Sequence, residues 1–207
     1  MYFPRTPHIA RFIYPNLTWR IREKKKSIYI TFDDGPDPVV TPAVLNLLDK
    51  YNAKATFFCV GEKVEQNREV YSSLLSKGHA VGNHSFNHLN GKDTPLEEYT
   101  ENIHKATELI ESDLFRPPYG KITTKQVKVL RNSYKIIMWS VLPGDFDSRL
   151  SQEMVLNRAI RYTQKGSIVV FHDNIKFQKK MMHALEGLLI HFSKKGYQFN
   201  AIESHMI

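Results

Sequence analysis

Several features that would narrow the class of this protein are absent from its sequence. The chain has one cysteine, Cys59, so an intramolecular disulfide is excluded. No stretch approaches the roughly 20 apolar residues that a membrane-spanning helix requires. The apolar residues near the N-terminus are interrupted by Arg11, Pro15 and Asn16, so they form no continuous secretory-signal core. We therefore expect no membrane span and, by default, a cytoplasmic location, unless an export signal lies outside this sequence.

Acidic residues are outnumbered, because 29 Lys and Arg face 21 Asp and Glu, giving a formal net charge of +8. Such an excess can favour nucleic acid, an anionic polymer or an acidic membrane surface. The densest basic run covers residues 20–26, and no zinc-finger, RNA-recognition or helix-turn-helix pattern accompanies it. We interpret the basic residues as a solvated surface and expect no nucleic-acid partner.

Short apolar runs alternate with helical patterns along the chain. Strands are predicted at about 27–32, 55–60, 79–82, 135–141, 167–171 and 197–202, with a very short one near Phe115. This alternation favours parallel strands joined by right-handed crossovers. We predict an α/β fold, an irregular (β/α)7-type barrel of mainly parallel strands, formed as a single domain by residues 27–207. Residues 1–26 are predicted to be an N-terminal arm packed on the barrel.

Local signals predict where several helices begin. Thr94 and Glu97 have the spacing of a capping box, and so do Thr123 and Gln126. Thr41, followed by a proline, is predicted to be a helix N-cap. One continuous helix is predicted over residues 63–77.

Polar residues lie just after the predicted strands. In a barrel of parallel strands the carboxyl ends share one face, and active sites are built there. We therefore expect residues that are far apart in sequence to converge in space. These residues are Asp33, Asp34, His84, His88, Arg116, Asp145 and His172.

Each of these residues also has a plain structural explanation. Asp33 and Asp34 precede a glycine and a proline, a combination typical of a turn. Two histidines four residues apart arise easily by chance in a chain with nine histidines. His172 can be explained as a histidine at the end of an apolar strand. The combination of all of them, each at a strand end, favours a shared site.

The same segments resemble the motifs of a known family. TFDDGP at 31–36, HSFNH at 84–88, RPPYG at 116–120 and VFH at 170–172 resemble the first, second, third and fifth motifs of the NodB-homology polysaccharide deacetylases, carbohydrate esterase family 4. The resemblance covers roughly residues 27–202. The fourth motif departs from the family pattern, because Leu142 stands in place of an aspartate and Phe146 in place of a tryptophan. Val170 likewise replaces a usual leucine.

The resemblance implies that one divalent metal ion is bound. Asp34, His84 and His88 would be its ligands. Two histidines and a carboxylate form a common zinc set for hydrolysis, and cobalt, nickel and iron are the alternatives.

The resemblance also implies an acid–base pair. Asp33 would be the general base, oriented and held ionised by Arg116. His172 would be the general acid, with Asp145 favouring its imidazolium form. An amide needs both groups, because its carbonyl is weakly electrophilic and its amine is a poor leaving group.

Three further residues would contact the substrate. The backbone N–H of Tyr119 would help to hold the oxyanion. Phe146 and Val170 would contact the acetyl methyl group, and their small size predicts extra room beside the acyl carbon.

The sequence therefore predicts a metal-dependent hydrolase that removes N-acetyl groups from an acetylated amino-sugar polymer or oligomer. One alternative is an amide hydrolase of the same scaffold that acts on a small or lipid-linked substrate. Another is a non-catalytic glycan-binding homologue, although none of the proposed acid, base or ligand positions is substituted.

Overall fold

A single sheet of parallel strands forms the centre of the molecule. A computed structural model of the chain describes residues 2–22 and 24–207, so residues 1 and 23 of the predicted arm lie outside the described residues. Within them the sheet has seven strands, in the order β5-β4-β3-β2-β1-β6, with β7 paired to β1. The strands are β1 (Ser27–Asp33), β2 (Ala55–Cys59), β3 (Ala80–Asn83), β4 (Leu114–Phe115), β5 (Lys135–Ile136), β6 (Ile168–His172) and β7 (Gln198–Phe199).

Helices connect the strands. They are α1 (His8–Ile13), α2 (Val40–Lys50), α3 (Gly61–Gln66), α4 (Arg68–Ser76), α5 (Leu96–Thr107), α6 (Thr124–Leu130), α7 (Gln152–Tyr162) and α8 (Gln178–Ser193). None of the helices in the described part of the chain is long and apolar enough to cross a membrane.

The prediction of one helix over residues 63–77 is wrong. Asn67 separates α3 from α4, and its side-chain amide donates to the Pro36 carbonyl (3.3 Å) outside the helix.

The residues after β5 close the sheet into a barrel. At the start of this segment, the Ile137 N–H donates to the Phe115 carbonyl (2.8 Å) beside β4. At its end, Val170 in β6 donates to the Val141 carbonyl (3.0 Å). The segment therefore spans the gap between the two edges of the sheet. The prediction of a single-domain, irregular (β/α)7-type barrel is confirmed.

Alternation along β1 determines which side chains enter the barrel. Every residue of this strand is buried, because helices cover its outer face and other strands its inner face. Ile30 packs in the outer cluster with α2 and α8, whereas Tyr29 packs in the inner cluster. By the same period of two, Thr31 and Asp33 point inward, so the strand ends with a carboxylate at the carboxyl end of the barrel.

The segment before β1 is hydrogen-bonded to the barrel at several points. The Leu142 N–H donates to the Pro4 carbonyl (3.0 Å), and the Thr6 N–H donates to the Ser140 carbonyl (3.1 Å). Further along, the Ile21 N–H donates to the Gly166 carbonyl (3.0 Å). Residues 4–6 therefore run beside the chain that leads into the fourth motif.

Candidate active site

The predicted site residues converge on one cleft at the carboxyl end of the barrel. The cleft has a volume of about 400 Å³. Arg116 and Asp145 are fully buried behind its wall. The other eight predicted residues line it: Asp33, Asp34, His84, His88, Tyr119, Phe146, Val170 and His172.

The turn after β1 directs both aspartates to the cleft. On an extended strand the two side chains would point in opposite directions. Asp34 instead has a φ of 79°, a left-handed conformation that turns its carboxylate towards the histidines. Among the described residues, four of the five non-glycine positions with positive φ belong to the site loops: Asp34, Ser85, His88 and Tyr119. Such conformations persist where the surrounding structure enforces them, and they cluster at functional sites.

A buried carboxylate braces this turn and was not found from the sequence. Asp173 is fully buried, its N–H donates to the Asp33 carbonyl (3.2 Å), and its side chain accepts a hydrogen bond from Thr41. A Cβ on Gly35 would lie 2.1 Å from the Asp173 carboxylate, so only glycine fits there. Burial raises the pKa of Asp173 to about 7. The dipeptide His172-Asp173 alone contains no signal for this contact.

Asp34, His84 and His88 form a cluster with the composition of a metal site. One ligand atom from each lies within 4.8 Å of the others. The Asp34 carboxylate is 3.2 Å from His88 Nε2 and 4.0 Å from His84 Nε2. Burial raises the pKa of Asp34, but the His88 hydrogen bond and the nearby histidines outweigh it, so the pKa lies well below its ordinary value. Asp34 therefore offers an ionised oxygen ligand.

The tautomer of His84 leaves one nitrogen available to a cation. Its Nδ1 lies 2.7 Å from the Arg116 carbonyl. A carbonyl can only accept, so Nδ1 carries the hydrogen and Nε2 has a free lone pair facing Asp34. Burial lowers the pKa of His84 to about 4, which keeps the imidazole neutral near pH 7. An ionised carboxylate, the neutral imidazole of His84 and the adjacent His88 ring fit a divalent ion of the zinc type.

Arg116 holds Asp33 at the inner wall. Its Nη1 donates to the Asp33 carboxylate (2.6 Å) and to Thr31 Oγ1 (2.7 Å). Its other nitrogens donate to the carbonyls of Ile137 and Met138, both at 3.1 Å. Burial lowers the pKa of Arg116 and the Asp33 charge opposes this effect. Because a guanidinium stays protonated in proteins, Asp33 faces a permanent positive charge.

Asp145 holds His172 at the end of the neighbouring strand, β6. One carboxylate oxygen is 2.9 Å from His172 Nδ1, and the other accepts the His172 backbone N–H at 2.8 Å. Burial lowers the pKa of His172, but the Asp145 charge and hydrogen bond, together with Asp34 and Asp33, raise it to about 10. The imidazole is therefore held as a cation, with Nε2 directed away from Asp145.

Aromatic and apolar side chains complete the cleft. The Phe146 ring packs edge-on against His172 with centroids 5.2 Å apart, and Val170 is 1% exposed on β6. Tyr119 is 62% exposed at the rim, and its ring lies 4.6 Å from that of His88. These positions place an apolar wall beside the acidic and basic groups.

Sequence reasoning missed several lining residues. Trp139, Leu142 and Phe177 contribute apolar surface, and Tyr2 comes from the N-terminal segment. Leu142 directly follows the strand predicted over residues 135–141, so its position was a usable signal, whereas Trp139 lies within that strand. Tyr2 has no such signal, because nothing near residue 2 indicates the cleft.

Comparison with known proteins identifies the family. The polysaccharide deacetylase family model matches residues 20–134. A peptidoglycan-N-acetylglucosamine deacetylase of Bacillus cereus is 35% identical, with 88% of this chain and 89% of that protein covered. A chitooligosaccharide deacetylase of Azorhizobium caulinodans is 34% identical, covering 81% and 83% respectively.

A solved structure agrees with these sequence relatives. The crystal structure of a peptidoglycan N-acetylglucosamine deacetylase in complex with 4-naphthalen-1-yl-N-oxidanyl-benzamide superposes with a TM-score of 0.87 at 28% identity, covering 95% of each chain. The resemblance found in the motifs is confirmed. This chain belongs to the polysaccharide deacetylase family, carbohydrate esterase family 4.

Proposed function

We propose that this chain is a metal-dependent hydrolase that removes N-acetyl groups from an amino-sugar polymer or oligomer of the peptidoglycan or chitooligosaccharide type. One observation carries the proposal: the Asp34–His84–His88 cluster lines the same cleft as a carboxylate paired with a buried arginine and an imidazole held protonated. The names of the relatives, which act on peptidoglycan and chitooligosaccharides, supply the substrate class.

The ligand cluster would hold one divalent ion. When bound by Asp34, His84 and His88, such an ion supplies Lewis-acid polarisation of the amide carbonyl and lowers the pKa of water in the cleft. The Nδ1–H bond from His84 to the Arg116 carbonyl fixes the ring in the orientation that this requires.

Asp33 acts as the general base in the proposed mechanism. Its carboxylate accepts a hydrogen bond from the permanently charged Arg116, and three further hydrogen bonds from Arg116 hold the guanidinium in place. Asp33 takes the proton of the attacking water, and the backbone N–H of Tyr119 donates to the oxyanion that forms.

His172 acts as the general acid. Its Nδ1 is occupied by Asp145, so the proton leaves from Nε2 to the departing amine nitrogen. Asp145 then stabilises the imidazole orientation, while Phe146 and Val170 face the acetyl methyl group. The ring of Tyr119 is exposed at the rim of the cleft. An open rim of this kind favours a glycan chain as the substrate and argues against a small molecule that the cleft would fully enclose.

Acetate release tests the proposal directly. We expect release from N-acetylated chitooligosaccharides or peptidoglycan fragments when zinc or cobalt is present, and none after chelation. The His84→Ala variant should lose both bound metal and activity, because it removes a buried ligand.

A matched histidine variant provides the control. His104 lies exposed in the last turn of α5, so His104→Ala should retain metal and turnover. Full activity in a preparation shown by elemental analysis to be metal-free would contradict the mechanism.

A further inference from the structure

Tyr2 forms part of the cleft wall although it lies far before Phe146, its aromatic neighbour, in the sequence. The two ring centroids are 5.0 Å apart with an angle of 54° between the planes. Phe146 in turn packs against His172, so the Tyr2 ring packs on the aromatic side chain that contacts the imidazole. Both aromatic side chains line the cleft.

Hydrogen bonds at the outer end fix the orientation of the Tyr2 ring. Its hydroxyl donates to Asp147 Oδ2 (3.1 Å) and accepts from Arg158 Nη1 (3.0 Å). Asp147 is itself held by Arg149, whose Nε and Nη2 donate to its two oxygens at 2.9 and 2.8 Å. The phenol is therefore tied to the fourth-motif loop and to α7, whose Arg158 guanidinium also lies over the ring at 6.0 Å from its centroid, while the ring packs against Phe146.

Backbone contacts place this residue in register with the loop. The bond from the Leu142 N–H to the Pro4 carbonyl and the antiparallel bridge between Arg5 and Val141 align residues 2–6 with the chain before Phe146. Their alignment does not depend on the phenol hydroxyl, since it uses backbone groups alone.

The loop also leaves space for the phenol. Gly144 has a φ of 92°, and a Cβ there would lie 2.1 Å from the Tyr2 hydroxyl. The glycine therefore allows both the backbone conformation and the close approach of Tyr2.

We propose that Tyr2 is a specificity-determining residue that narrows the acyl side of the cleft by supporting and extending the Phe146 surface. The proposal rests on the proposed deacetylase function. The small size of Phe146 and Val170 predicts extra room for the acyl group, and the Tyr2 ring occupies space beside Phe146. The N-terminal segment thus limits the length of the acyl chain that the cleft accepts.

Matched acetyl and propionyl substrates test this role. We expect Tyr2→Ala to raise the propionyl-to-acetyl ratio of kcat/KM on glucosamine oligomers about tenfold, because one methylene in an apolar pocket discriminates on that scale. Tyr2→Phe keeps the ring and should keep the wild-type ratio. Phe3→Ala removes a neighbouring aromatic side chain that is 61% exposed and does not line the cleft, so its ratio should also be unchanged.

A second-site variant separates this role from simple anchoring of the arm. In the Tyr2→Ala background, Phe146→Trp adds aromatic surface at the vacated position and should restore acetyl preference. If Tyr2 served only to anchor the N-terminal arm, Phe146→Trp could at most restore the stability of the Tyr2→Ala protein. It would not return the propionyl-to-acetyl ratio of kcat/KM to the wild-type value.

Binding measurements separate this inference from the proposed function. Calorimetric titration of N-acetyl and N-propionyl oligomers onto wild type and Tyr2→Ala needs no turnover, and we expect the same shift in the affinity ratio. Absence of turnover in the wild type together with a shifted affinity ratio would refute the proposed function and support the role of Tyr2. An active wild type with an unchanged ratio in Tyr2→Ala would overturn the inference.

Discussion

Two aspartate–cation pairs lie at the ends of the neighbouring strands β1 and β6, and the order of burial within them is reversed. In one pair Arg116 is fully buried and presents the carboxylate of Asp33 to the cleft. In the other pair Asp145 is fully buried and presents the imidazole of His172. In each pair the fully buried partner holds the other by a hydrogen bond, and the other partner lines the cleft.

Two histidines of the same cleft show how strongly the surrounding groups shift the pKa of an imidazole. Burial lowers the pKa of His84 to about 4 and outweighs the opposing charges of Asp33 and Asp34. For His172 burial acts in the same direction, but contact with Asp145 raises the pKa to about 10. A difference of this size lets one imidazole serve as a neutral ligand and another as a proton donor.

The largest effect should come from removing the base of the first pair. We expect Asp33→Asn to retain the metal and to lower kcat about 10²- to 10⁴-fold, since proton transfer contributes on that scale. Acetate release and metal analysis on the same preparation provide the measurement. Asp49→Asn changes an exposed aspartate paired with Lys77 and should leave kcat unchanged. Near-wild-type turnover in Asp33→Asn would mean that another group is the base.

An intermediate effect should come from the second pair, and it should depend on pH. Asp145→Asn removes the charge that raises the pKa of His172, so this pKa should fall from about 10 towards the ordinary value. At about pH 8.5 a histidine of ordinary pKa is only about 1% protonated, so the alkaline limb of kcat should move to lower pH. Histidine NMR titration of the metal-free protein checks the shift, and an unchanged alkaline limb would contradict the assignment.

The same shift predicts how stability depends on pH. A pKa that is raised on folding means that the folded state binds the proton more tightly. The stabilisation from the His172–Asp145 pair is therefore complete below about pH 6.5 and is lost as the pH rises towards about 10. Denaturant titrations should show the difference between wild type and Asp145→Asn shrinking across this interval.

The convergence of the site could be predicted because it follows from the direction of the strands. Asp33 ends β1 and His172 ends β6, and the two residues are paired neighbours in the sheet. Parallel strands bring such ends together without any knowledge of loop conformation. The positive φ of Asp34 could not be predicted in this way, since the turn that contains it packs against Asp173 from a different loop.

Helix starts show where local signals suffice and where tertiary contacts override them. The capping box of Thr123 and Gln126 is confirmed, with both hydrogen bonds present. The one predicted for Thr94 and Glu97 is wrong, because the Thr94 hydroxyl donates to the Asn90 carbonyl (2.8 Å) and α5 begins at Leu96.

Thr41 is a third case, in which a contact across the sheet decides the outcome. Thr41 lies inside α2, whose N-cap is Val39, so the prediction of Thr41 as the N-cap is wrong. The Thr41 hydroxyl accepts from the Asp37 N–H (2.8 Å) and donates to Asp173. Hydroxyl side chains bond whichever group the fold brings near, and sequence spacing alone does not reveal that group.

The smallest effect should come from the apolar wall of the cleft, where Val170 can be compared with its neighbour Val169. Both valines are buried on β6, but Val170 lines the cleft whereas Val169 packs in the outer cluster with the helices. Val170→Leu adds one methylene towards the acyl group and should lower propionyl turnover relative to acetyl by about tenfold or less. Val169→Leu adds the same methylene to the core, where overpacking costs about 1–3 kcal/mol of stability and should leave the acyl ratio unchanged. Parallel kcat/KM measurements and thermal melts on the two variants separate these effects. Equal acyl ratios in both would mean that Val170 does not contact the acyl group.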